Sequence, residues 1–183
     1  HHVIALWADV LASIPHSKLF LKYGAYFDDQ VLIRYWQNKF SHFGVTEDRL
    51  IFCGASKNRE EHLEQYQHID IALDPFPFNG ATTTFEALAM GVPIITLKGQ
   101  YFVGRVAASL LDAVELNKLI AHTRKEYIDA AKDLTSDLKS LENLRCTLRE
   151  KLNVSPLCQG KPYAQSIEAA YREMWQNWCS SHD

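Results

Sequence analysis

The chain has 183 residues, of which 47% are hydrophobic and 22% charged, with a formal net charge of −3. That length suits one compact lobe, and that balance excludes intrinsic disorder as the main state. Slight acidity and the lack of Lys/Arg runs argue against nucleic-acid binding and a membrane-surface patch, and no apolar stretch is long enough to cross a bilayer.

Cys53, Cys146, Cys158 and Cys179 show no C-x-x-C spacing, so free thiols in a reduced cytoplasm are expected. His1 and His2 read as the remnant of an affinity tag, and the residues after them lack a signal-peptide pattern.

Ile4, Trp7, Leu11 and Ile14 recur at helical spacing, which predicts a helix from Val3 to Ile14, stopped by Pro15. Lys18 to Lys22 reads as a short extended run before a break at Gly24. From Asp29 onward, Leu32, Tyr35, Trp36, Phe40 and Phe43 are again helical, with Gly44 at a C-cap position. The aromatics Trp7, Tyr35, Trp36 and Phe40 are expected in the core. Leu50 to Cys53 is a short apolar run, and Asn58-Arg59-Glu60-Glu61 is a capping box that opens a helix.

Ile69 to Leu73 and Val92 to Leu97 look like buried parallel strands. Between them lie a polar turn, Pro75 to Thr84, and a helix from about Phe85 to Met90 closed by Gly91, which makes a βαβ unit. The rest is expected to be helical: Arg105 to Leu111, Arg124 to Leu134 (with a Thr123/Glu126 capping box), Asp137 to Leu152, and Pro162 to Asn177. No internal repeat or linker is visible. The predicted class is α/β, with a Rossmann-like parallel sheet flanked by helices and a helical C-terminal end.

Ligands of open α/β sheets bind beyond the carboxyl ends of the strands, which directs attention to the turn after Asp74. Pro75 and Pro77 stiffen it, and Asn79-Gly80 permits positive φ and close backbone approach. Thr82, Thr83 and Thr84 then open a helix whose first N–H groups lack internal partners and whose end is partly positive. Such an end, with hydroxyls added, can seat a phosphate or diphosphate. Thr83 as N-cap with Glu86 fits a plain capping box equally well, and both readings stand on the residues alone.

A second cluster follows Gly54, where Lys57, Arg59 and His62 surround a helix start. An imidazole there can stack on a flat base and Arg59 can reach a phosphate, although a lone histidine at a helix start is commonly a surface residue. No spacing suits a metal ion, and no Ser/His/Asp or Cys/His nucleophile system is present, so no catalytic residue is assigned within the chain.

The stretches REEHLEQYQHIDIALDPFPFNGATTTFEALAMGVPIITLKGQ, RVAASLL and SPLCQGKPYAQSIEAAYREMW resemble the C-terminal lobe of the O-GlcNAc transferase/SPINDLY family of glycosyltransferases. The resemblance runs from Val3 to Trp175. It implies that residues 1–183 form one donor-binding lobe of a two-lobed GT-B enzyme, which transfers a sugar from UDP-GlcNAc to Ser/Thr hydroxyls of proteins without a required metal or other cofactor. The donor is then the small-molecule partner, and the protein acceptor is engaged through an N-terminal region outside this chain, together with tetratricopeptide repeats.

Carried over position by position, His62 matches the residue that stacks on the uracil, and Arg59 a basic residue beside base and ribose. The backbone near Lys57 matches the reader of the uracil edge. Thr82 and Thr83 match the pair that holds the diphosphate, and Glu86 the acid that holds the ribose hydroxyls. Asn79, Gly80 and Thr84 complete the expected donor-binding set.

Animal members carry a histidine before the Thr pair, where this chain has Ala81, so one diphosphate contact is absent or replaced. The family's donor-phosphate Gln and Lys are expected upstream of the Val3 helix, outside this chain. The helix at 161–178 is expected to pack towards the N-terminal lobe, and the lobe alone is expected to be inactive. Alternatives are a GT-B enzyme with another donor sugar or a non-protein acceptor, or a non-catalytic nucleotide-sugar-binding module.

Overall fold

The computed structural model of the chain describes residues 2–181. It opens with α1 (His2–Ser13), which is buried on two sides. Leu6 and Val10 enter the larger core cluster, Ile4, Ala8 and Leu11 the smaller one, and Trp7 packs against both. His1 lies outside the described residues. His2, by contrast, is the first residue of α1, and its C=O accepts from Arg124 at 3.4 Å.

β1 (Leu19–Lys22) and β2 (Leu50–Cys53) pair in parallel, with Leu19 opposite Leu50 and Lys22 opposite Cys53. Between them α2 (Gln30–Ser41) is capped by Asp29, whose side chain accepts from the Val31 N–H. Gly44 follows its end as expected: Gly44 N–H bonds the Ser41 C=O, and Val45 N–H the Phe40 C=O. Phe40 is fully buried and Trp36 partly so, but Tyr35 is half exposed, with the Lys39 ammonium 5.0 Å from its ring centre. The expectation that all four aromatics are core fails at Tyr35 because it faces outward, with the Lys39 ammonium over its ring.

A second parallel sheet has the order β3 (Ala72–Leu73), β4 (Ile94–Leu97), β5 (Ile120–Ala121). β3 is shorter than the predicted Ile69–Leu73 because the Ile69 C=O accepts from the Arg145 guanidinium instead of joining the ladder. β5 falls in the region expected to be almost wholly helical; at two residues it is too short to carry an alternating pattern.

Between β3 and β4 runs α4 (Thr82–Ala89), which starts three residues earlier than the predicted Phe85. Beyond β4 come α5 (Val106–Ala113), α6 (Arg124–Ser136) and α7 (Leu138–Val154). Thr123 caps α6 by accepting from the Glu126 N–H, as predicted, while Glu126 accepts from the His122 N–H, one residue before the Thr123 N–H that a strict capping box pairs. The larger core lies between this sheet and helices α1, α4, α5, α6 and α7. The last helix, α8 (Gly160–Ser180), has no buried residue, and Trp175 and Trp178 stack on its surface with ring centres 5.3 Å apart. Among the described residues no helix is long and apolar enough to cross a membrane.

Gly91 turns the chain from α4 into β4 with φ +74°, and a Cβ there would lie 2.8 Å from the Arg145 carbonyl oxygen. Left-handed backbone and contact with a fixed α7 carbonyl penalise any side chain. Gly91→Ala should therefore lower stability by about 1–3 kcal/mol, measured by urea unfolding.

Candidate functional site

The site is built around the start of α4, beyond the carboxyl end of β3. Asp74 follows β3 and is almost fully buried, at 1% exposure. Its Oδ1 accepts from the Gly80 N–H at 2.8 Å, its Oδ2 from the Thr96 hydroxyl at 2.6 Å, and its backbone C=O from the Tyr127 hydroxyl at 3.1 Å. One side chain thus joins the loop 75–80 to β4, while its backbone meets α6. Asn79 is also buried; its Nδ2 donates to the Pro75 C=O at 3.1 Å and its N–H to the Val103 C=O at 2.9 Å.

The residue before α4 is Ala81, so no side chain caps the helix. The predicted Thr83/Glu86 capping box is therefore not formed: Thr83 is already the second helical residue and Glu86 the fifth. Thr84 is buried, and its hydroxyl donates back to the Gly80 C=O at 3.0 Å. Thr82 and Thr83 are exposed, and among the described residues their hydroxyls have no hydrogen-bond partner. A Cβ on Gly80 would come within 2.6 Å of the Thr83 hydroxyl oxygen and 2.9 Å of Thr84's. Glycine is needed there for close approach, and not for the positive φ that the Asn-Gly pair suggested, since Gly80 is absent from the positive-φ residues.

The second predicted cluster meets the first. His62, in α3 (Arg59–Glu64), places Nε2 3.3 Å from Glu86 Oε2, with side-chain exposures of 33% and 16%. Tyr66 sits edge-on to His62 with ring centres 6.0 Å apart, and its hydroxyl donates to the Thr83 C=O at 3.3 Å. Burial first, and then the Glu86 carboxylate, push the Tyr66 phenol up to about 12, so it stays a neutral donor. Arg59 is exposed at the start of α3. The expected N-cap forms, with Asn58 accepting from the Glu61 N–H at 2.8 Å, while Glu61 Oε2 accepts at 2.6 Å from the N–H of Lys57 and not from that of Asn58 as a strict capping box would.

Of the nine expected donor-binding residues, Arg59, His62, Thr82, Thr83 and Glu86 present side chains at or beside one surface. Asn79 and Thr84 do not, because both are buried in bonds that shape the loop. Gly80 and Lys57 have their N–H groups committed to Asp74 and Glu61. The sequence reading missed Asp74 and Tyr66 as site residues. Tyr66 carried a signal, being four residues after His62; Asp74's burial could not be read from its neighbours. Among the described residues no group of three His, Cys, Asp or Glu side chains is arranged to hold a metal ion.

The sequence matches Glycosyl transferase family 41 over residues 1–167. The chain belongs to that family. It is 39% identical over 177 residues to the probable UDP-N-acetylglucosamine–peptide N-acetylglucosaminyltransferase SPINDLY of Petunia hybrida, covering 97% of this chain and 19% of that protein. Identity to the UDP-N-acetylglucosamine–peptide N-acetylglucosaminyltransferase of Caenorhabditis elegans is 30% over 173 residues, or 94% of this chain and 15% of that protein. The chain thus spans about a fifth or less of the length of these curated relatives.

An O-GlcNAc transferase variant from Thermobaculum terrenum superposes with TM-score 0.89 and 38% identity over 100% of this chain and 35% of that one. Sucrose-phosphate synthase from Thermosynechococcus elongatus shares only the fold, at TM-score 0.61 and 19% identity. The fold is that of the C-terminal lobe of a GT-B glycosyltransferase, as the resemblance implied.

Burial holds the Asp74 carboxyl of this family 41 chain up at about 6 from an ordinary 3.8, against the lowering effect of Thr96 and Gly80. A folded state that favours the neutral acid keeps this group's full contribution below about pH 4 and loses it as pH rises through about 6. Two pH units correspond to about 3 kcal/mol. Urea unfolding of wild type and Asp74→Asn from about pH 4 to 7.5 checks this: wild type should lose stability relative to the variant as pH rises.

Proposed function

We propose that this chain is the donor-nucleotide-binding lobe of a glycosyltransferase that moves N-acetylglucosamine from UDP-GlcNAc to Ser/Thr hydroxyls of proteins. The observation that carries the reading is the convergence of His62, Glu86 and the free Thr82 and Thr83 hydroxyls at an uncapped helix start. A uracil stacks on His62, the Glu86 carboxylate accepts from ribose hydroxyls, and the diphosphate takes the two hydroxyls and the positive end of α4. Glu86 can serve His62 and a ribose together, because a carboxylate has about four acceptor positions.

In the transfer, an acceptor hydroxyl oxygen bonds to the anomeric carbon as the bond from that carbon to the diphosphate oxygen breaks, and UDP leaves with the electron pair. The hydroxyl proton goes to a base outside this chain. The contribution of these residues is to hold the donor and to stabilise charge growing on the departing diphosphate. The proposal requires no metal, since the helix end and the two hydroxyls take that charge. The acceptor protein is engaged by an N-terminal lobe outside this chain, and α8, whose Tyr171, Trp175 and Trp178 are exposed, packs towards it. Four free cysteines suit a cytoplasmic setting.

Binding and transfer assays test this. UDP should bind in the micromolar-to-millimolar range, about −4 to −8 kcal/mol, and more tightly than ADP or GDP. Thr83→Val should weaken UDP by about 1 kcal/mol while leaving the melting temperature of the free protein unchanged, because Thr83 caps nothing. No sugar transfer by this chain alone is expected, because aligning acceptor and anomeric carbon is worth ~7–11 kcal/mol and half a cleft cannot supply it. Equal affinity for the three diphosphates overturns the base assignment, and transfer by the chain alone overturns the division between lobes.

A further inference from the structure

β1 and β2 end side by side, and the chain leaves β2 through Gly54, Ala55, Ser56 and Lys57 before entering α3. Three charged side chains hold this stretch. The Lys22 ammonium, at the end of β1, donates to the Gly54 C=O at 3.0 Å and to the Ser56 hydroxyl at 2.7 Å, with Cys53 Sγ at 3.7 Å. The Asp28 carboxylate accepts from the Ala55 N–H at 3.3 and 3.4 Å, and a Cβ on Gly54 would overlap that carboxylate. Glu61 takes the Lys57 N–H.

What remains is a short run of free backbone. Among the described residues the Ser56 N–H and the C=O groups of Ala55 and Ser56 have no hydrogen-bond partner. Lys22 is half-buried and forms no ion pair among the described residues, so the polar contacts of its charge are all with Cys53, Gly54 and Ser56. Taking an ammonium partly out of water is costly unless its hydrogen bonds are made, so the loop is held in the one shape that satisfies it. A free N–H beside free carbonyls complements the edge of a heterocyclic base, and the fixed order and depth of those groups decide which base fits.

We propose that Lys22 is the positioning residue for base selection: it fixes the Ala55–Ser56 backbone as the edge that reads the base of the donor. The inference rests on the proposed donor site and extends the backbone near Lys57, whose N–H is taken by Glu61, to the free N–H of Ser56. Lys22 itself touches neither base nor phosphate. It acts through the Gly54 carbonyl and the Ser56 hydroxyl, whereas the diphosphate seat at α4 is built separately by Asp74 and Gly80.

The separation makes a sharp test. Affinities for UDP, ADP, GDP and inorganic pyrophosphate are measured on wild type, Lys22→Met and Ser56→Ala, with melting temperatures alongside. Lys22→Met should weaken UDP about tenfold, the order of one hydrogen bond to a charged group, leave pyrophosphate unchanged, and bring UDP and ADP to near-equal affinity. Ser56→Ala should move the same ratio in the same direction by a smaller factor, and it carries the test if Lys22→Met does not fold. A wild type that binds none of the nucleotides, or all of them equally, overturns the proposed function and this inference together. A wild type that prefers UDP, with variants that keep the preference or lose UDP and pyrophosphate equally, overturns the inference alone.

Discussion

Asp74 sits where the three-stranded sheet passes the chain to the loop before α4, and its carboxylate accepts from both the Gly80 N–H and the Thr96 hydroxyl. A carboxyl group in so dry a place is tolerable only because both oxygens are hydrogen-bonded, and burial still shifts it towards the neutral form. Those two bonds determine where Gly80 lies. Gly80 in turn receives the Thr84 hydroxyl on its carbonyl and leaves no space beside the Thr83 hydroxyl that a side chain could use. The orientation of the α4 start therefore follows from a buried group that offers no surface of its own.

At its mouth the site forgoes stabilisation. A Ser, Thr, Asp or Asn N-cap is worth about 1 kcal/mol over alanine, and α4 begins after Ala81. Helices α2, α3, α6 and α7 all carry a side-chain cap, from Asp29, Asn58, Thr123 and Asp137. α4 shares the lack of a side-chain cap with α5 and α8; at its own start, where an anion is expected, free N–H groups are useful and a cap would compete. The His62–Glu86 contact likewise holds the two side chains of the proposed donor site together before any ligand arrives, so on that proposal less ordering remains to be done on binding.

Two separate supports therefore frame the surface. Asp74 works from beneath α4 with hydrogen bonds in a dry core, while Lys22 and Asp28 work at the wetter ends of β1 and β2 on the loop 54–57. Their independence follows from the fold: β1 and β2 form one parallel pair, β3, β4 and β5 another, and α1 packs its two sides into the separate cores beneath them. A GT-B lobe built this way can change the loop 54–57 without disturbing the start of α4.

Local chemistry made much of this legible. Helical spacing located α1, α2, α6 and α7, the N-caps at Asn58 and Thr123 formed as read, and Gly44 and Gly91 ended helices where expected, because each depends on residues within four positions. The pattern DPFPFNGATTTFEALAMG determined a stiff turn, a helix and an anion-friendly helix start. Only the tertiary structure decided which threonines face solvent, since that turns on where α4 begins, and Asp74 and Gly80 set that from outside the helix. It alone brought His62 to Glu86 across 24 residues and Lys22 to Ser56 across 34, and it buried Asn79. Spacing along a chain encodes hydrogen bonds within one turn, whereas the partners of a buried charge are chosen by which strand ends the sheet places side by side.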